Sequence, residues 1–112
     1  MFTVKILPND KGNPPGKLAE AELHFDAGTP LAGLKLIGFS IWESRNAGKR
    51  NVTFPARSYS VNGERRSFAL VRPVSDTAAH GPLREAILRA YAAWEEGALE
   101  NDRDRGTMAH GV

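Results

Sequence analysis

The sequence has no cysteine. Disulfide staples, a thiol nucleophile and thiolate metal sites are excluded together. Long apolar runs are missing as well: the most apolar stretch, Leu31 to Trp42, is interrupted by Gly33, Lys35, Gly38 and Ser40, so no helix-length membrane span is written in it. The opening MFTVKILPND lacks the basic-then-apolar layout of a secretion signal. A soluble, cytoplasmic protein without membrane association is therefore expected. Histidine is sparse and scattered at His24, His80 and His110, with no His-x3-His spacing, so neither a metal nor another cofactor is expected. Acid is scarce in one place. Between Ser44 and Pro73 the single carboxylate is Glu64, against Arg45, Lys49, Arg50, Arg57, Arg65, Arg66 and Arg72. That segment carries a net +6 and the rest of the chain −4, although the total is only +2. A local field of this kind steers an anionic partner even when the overall charge nearly cancels.

What is present describes an ordinary globular domain. With 112 residues, 41% hydrophobic and 25% charged, the chain can bury one small core but not a core plus a deep substrate cavity. Phe2 to Leu7 alternates as a short strand and is followed by turn residues, PNDKGNPPG. Within these, GNPPGK is one residue short of a phosphate-binding loop and precedes a strand, so it reads as a turn. KLAEAELHF puts Ala19, Ala21, Leu23 and Phe25 on one face and Glu20, Glu22 and His24 on the other. In Leu31 to Trp42 the parity switches: Leu34 and Leu36 share one face, Ile37, Phe39 and Ile41 the opposite one. Either a β-bulge lies near Leu36-Ile37-Gly38, or this strand is central and covered on both faces.

Residues 52 to 73, VTFPARSYSVNGERRSFALVRP, alternate on both sides of Asn62-Gly63, the strongest short hairpin signal. Pro55 cannot donate a ladder hydrogen bond, which demotes Val52 to Arg57 to an edge or bulged strand. After Val74 the period becomes helical. Leu83, Ile87, Ala90, Tyr91 and Trp94 form one stripe, Pro82 suits a first helical position and Gly97 a stop. The expected fold class is α+β: a small, mostly antiparallel sheet of four to five strands with one C-terminal amphipathic helix. Residues 1–98 read as a single domain and 99–112 as a loose tail.

The arginines of the hairpin admit two readings. Arg presents a planar fork of donors that matches phosphate oxygens, and Tyr59, between Arg57 and Arg65, adds a ring on which an unpaired base can stack. Alternatively the charges guard an exposed edge against sheet-to-sheet aggregation, or the edge strand itself pairs with a protein partner. Ser58, Ser60 and Ser67 stand outside any nucleophile-elbow motif, and the carboxylates form no recognisable acid/base pair, so no enzyme and no small-molecule substrate are expected.

Taken in order and spacing, KLAEAELHF, LKLIGFSI, VTFPARSY, NGERRSFALVRPV and LREAILRAY resemble the stage V sporulation protein G family of bacterial septation regulators. The resemblance spans roughly residues 1 to 96. It implies an antiparallel sheet with a C-terminal helix, a homodimer, and DNA or RNA binding in gene regulation without catalysis. The candidate residues for nucleic-acid contact are therefore Lys49, Arg50, Arg57, Tyr59, Arg65, Arg66 and Arg72 from the basic segment, to which the resemblance adds Arg84 and Arg89 on the helix.

Overall fold

A computed structural model describes residues 1–44 and 48–97 in full. Arg45, His110 and the tail expected over 99–112 lie outside these residues. The fold is α+β, in two antiparallel sheets and one long helix. Strands β1 (Phe2–Pro8), β2 (Lys17–Phe25), β3 (Lys35–Glu43) and β4 (Arg50–Thr53) form a meander in the order β1-β2-β3-β4. Strands β5 (Ala56–Val61) and β6 (Glu64–Ala69) form a separate two-stranded sheet. Helix α1 is His80–Gly111, its side chains described as far as Gly97.

The division into four strands plus two replaces the expected single sheet of four to five. Its cause is local. Pro55 has no N–H to continue a ladder, so the extended segment Val52 to Arg57 breaks into β4 and β5 at Phe54-Pro55. β4 remains on the meander as an edge strand. Beyond the break the chain pairs only with its own return strand: the Leu70 N–H donates to the Pro55 carbonyl at 2.9 Å, and the ladder continues from Ala56↔Ala69 to Val61↔Glu64. Asn62 at φ +51° and Gly63 at φ +80° close it, as a tight two-residue hairpin turn requires.

Of the two explanations for the parity switch in β3, the structure has the bulge. Ala21 pairs with Phe39 and Leu23 with Leu36, so one extra residue is inserted in β3 at Ile37-Gly38. Phe39 and Ile41 face the core, Leu36 packs at its margin and Ile37 is turned out. Gly38 has φ +107°, and a Cβ there would lie 3.0 Å from the Pro55 Cβ. The bulge and the hinge of the hairpin therefore lock into one another: the missing side chain at 38 is the seat of the buried proline at 55.

One face of the meander and one stripe of α1 make the core: Ala19, Ala21, Leu23, Phe39, Ile41, Val52, Ile87 and Tyr91. Leu83 and Trp94, expected on that stripe, are packed against it but only partly buried. Trp94 stacks on Tyr91 with ring centroids 5.7 Å apart. Pro82 falls at the third residue of α1, behind a 3-10 turn at Thr77–Ala79 capped by the Asp76 side chain. Gly97, expected as the stop, lies inside the helix without a positive φ; glycine weakens a helix by about 1 kcal/mol but does not end it unless it turns left-handed.

Candidate nucleic-acid interface

Every residue of β5 and β6 is exposed. The hairpin is an arm standing off the body, fastened at its base. Phe54 is the fastening. Its ring meets Phe39 edge-on at 5.3 Å and His80 edge-on at 4.9 Å, and the Arg84 guanidinium lies 5.3 Å from its centroid. Two residues beyond β6 the Val71 carbonyl accepts from His80 Nε2–H at 2.9 Å. Because a carbonyl only accepts, the bond fixes which ring nitrogen carries hydrogen. His80 and Arg84 at the start of α1 thus hold the chain on both sides of the arm, at Phe54 before β5 and, through His80, at Val71 after β6.

The register sorts the arm's side chains into two faces, since residues directly opposite in an antiparallel pair project the same way. Arg57↔Phe68, Tyr59↔Arg66 and Val61↔Glu64 share one face. Ala56↔Ala69, Ser58↔Ser67 and Ser60↔Arg65 share the other. The first is aromatic and cationic, the second small and hydroxylic with one guanidinium. Tyr59 and Phe68 meet edge-to-face at 6.0 Å. Arg66 hydrogen-bonds Glu64 at 3.1 Å in an exposed pair, whereas Arg57 and Arg65 have no polar partner among the described residues.

The nine residues favoured by sequence separate into three groups. Arg57, Tyr59, Arg65 and Arg66 are on the arm. Arg72 and Arg84 are exposed at its base, Arg72 just beyond β6 and Arg84 above Phe54. Lys49 and Arg50 stand at the far end of β4, about 13 Å of strand away, and Arg89 is exposed on α1. Arg50 is committed elsewhere: it pairs with Glu95 at 3.0 Å and lies 5.3 Å from the Tyr91 ring. It fastens β4 to the helix. Burial, reinforced by the nearby Glu95 carboxylate, pushes the Tyr91 hydroxyl above its ordinary value, with Arg50 opposing.

Phe68 stands outside the nine yet belongs to the aromatic face; counting pairs outward from Asn62-Gly63 puts it opposite Arg57, which is the signal the sequence holds for it. A second polar cluster lies on the outer face of the meander. His24 Nε2–H donates to Glu22 at 2.9 Å and Lys35 Nζ lies 3.3 Å from the same carboxylate. The His24 hydrogen bond, with Lys35 adding and desolvation opposing, holds Glu22 below the ordinary carboxylate value. No group of ligands able to hold a metal ion occurs among the described residues.

No family model, curated protein or solved structure matches the chain.

Proposed function

We propose that this is a non-catalytic, nucleic-acid-binding regulatory protein that acts as a homodimer and uses the β5-β6 arm as its grip. The observation that carries the reading is the arm itself: an exposed ribbon presenting Arg57, Arg65 and Arg66 against one carboxylate, Glu64. A two-stranded ribbon is narrow enough to follow a groove or a strand of nucleic acid, and the planar donor forks of Arg57 and Arg66 on one face, with Arg65 on the other, suit phosphate oxygens. Arg72 and Arg84 continue the positive surface at the base. The resemblance to septation regulators supports the same reading and directs it to gene regulation in the bacterial cytoplasm.

A second reading is favoured by one feature. Both strands of the arm have an unpaired edge, because the sheet has only two strands, and such an edge can add a strand from a protein partner. Salt separates the readings. A gel-shift series with single-stranded DNA, duplex DNA and RNA at 50 and 200 mM salt is expected to show binding that falls steeply as counterions compete for phosphate. No shift with any of the three at the lower salt contradicts the nucleic-acid reading and leaves edge pairing.

A further inference from the structure

We propose that the ligand of the arm is an unpaired strand, held by its bases on the Tyr59-Phe68 face. The inference rests on the arm being the nucleic-acid grip and adds which form of nucleic acid it takes. On that face rings and guanidiniums alternate like the squares of a chequerboard: Tyr59 is across from Arg66, and Arg57 is across from Phe68. The two rings are therefore diagonal neighbours along one direction and the two guanidiniums along the other. A strand crossing the ribbon obliquely meets a ring, then a ring, with a cation beside each.

The dimensions suit bases that have been pulled apart. The ring centroids are 6.0 Å apart and the planes are inclined by 73°, against the roughly 3.4 Å rise and parallel planes of stacked nucleotides in a duplex strand. The rings are too far apart and too inclined to meet two bases that remain stacked on each other. Both are open to solvent, Tyr59 at 41% and Phe68 at 44% of full exposure. An aromatic face has no use for a paired base, whose own faces are covered by its neighbours, but it stacks on an unpaired one whatever its sequence. The opposite face, with Ser58, Ser60, Ser67 and Arg65, has no ring.

The test uses the full chain, a labelled thymidine oligomer and the same oligomer annealed to its complement, with fluorescence anisotropy as readout. Tyr59→Leu combined with Phe68→Leu keeps the cross-strand apolar contact and removes both rings, and Tyr59→Phe keeps the ring; circular dichroism monitors the fold of each. The Leu pair is expected to weaken single-strand binding about tenfold or more, as loss of base stacking does, to change duplex binding less than threefold, and to leave the salt slope unaltered. Tyr59→Phe is expected to bind like the wild type. Wild-type affinity for the duplex equal to or above that for the single strand, or equal losses on both in the Leu pair, overturns the inference while the grip stands. Reduced self-association in the Leu pair with unchanged oligomer affinity also overturns it and assigns the rings to a protein contact. Binding of neither probe by the wild-type protein overturns the grip itself.

Discussion

Gly38 is the residue on which the arrangement turns. Any side chain there must adopt a left-handed φ and displace Pro55, whose ring occupies the space a Cβ would take. Gly38→Ala is expected to destabilise the protein by about 2 kcal/mol or more, measured by urea denaturation; a change within 0.5 kcal/mol, on the order of an ordinary surface substitution, contradicts the lock between bulge and hinge. Core and margin differ in the same way. Ile87 is fully buried, so Ile87→Ala is expected to cost about 3 kcal/mol through transfer and cavity terms. Trp94, half open and stacked on Tyr91, is expected to cost less than Ile87 on truncation; the reverse order means that a partner covers the end of the stripe.

Glu22 gives the residue scale its pH dependence. Its carboxyl is held below its ordinary value of 4.5 by His24 first and Lys35 next. A depressed folded-state value stabilises the native protein above the unfolded-state value, and that contribution is lost as pH falls through the folded one. Glu22→Gln is expected to flatten the acid limb of the stability-against-pH curve below about pH 4.5, read from thermal melts at pH 3 to 7. An unchanged acid limb contradicts the role given to this cluster.

Among the elements, the arm separates most cleanly from the rest. Its residues are exposed and its two ends are joined by the 2.9 Å hydrogen bond from the Leu70 N–H to the Pro55 carbonyl, so replacing 56–69 by a short Asn-Gly turn is expected to leave the body folded and its melting temperature little changed. A molten body would mean that the arm packs somewhere. Much of this was legible in the chain. The Asn-Gly turn, the alternation of β2 and the stripe of α1 are local patterns, and each formed where its period placed it. The parity break in β3 announced a bulge without deciding for it, because alternation cannot distinguish an inserted residue from a strand covered on both faces. What the chain did not disclose was tertiary. Phe54-Pro55 reads as part of one strand until the proline is seen seated on Gly38, and Arg50 reads as one more free cation until Glu95 comes within 3.0 Å of it. Charge gathered eight of the nine candidate residues and a stacking ring the ninth, Tyr59; the register shows that Arg66 shares a face with Arg57 and that Arg65 does not. Arg66→Ala is accordingly expected to lower nucleic-acid affinity and reduce the salt slope by about one, and Arg65→Ala to do less.

At the scale of the molecule, the charge asymmetry takes physical form. The described cations of the basic segment, Lys49, Arg50, Arg57, Arg65, Arg66 and Arg72, run from the far end of β4 through the arm to its base. Large apolar side chains are also in the open, Leu31, Leu34 and Ile37 before and within the start of β3 and Leu70 and Val74 beyond the arm, apolar surface that self-association would cover. A homodimer is expected at micromolar concentration, with mass from light scattering as the check; a monomer there contradicts it. Whether the arm grips nucleic acid through its arginines is read from the affinity of the triple variant Arg57→Glu, Arg65→Glu and Arg66→Glu for a labelled oligonucleotide at 50 mM salt. Exposed charges contribute little to stability, so a folded protein with the wild-type melting temperature and no measurable binding is expected. Wild-type affinity in that folded variant means that the arginines of the arm are not the grip.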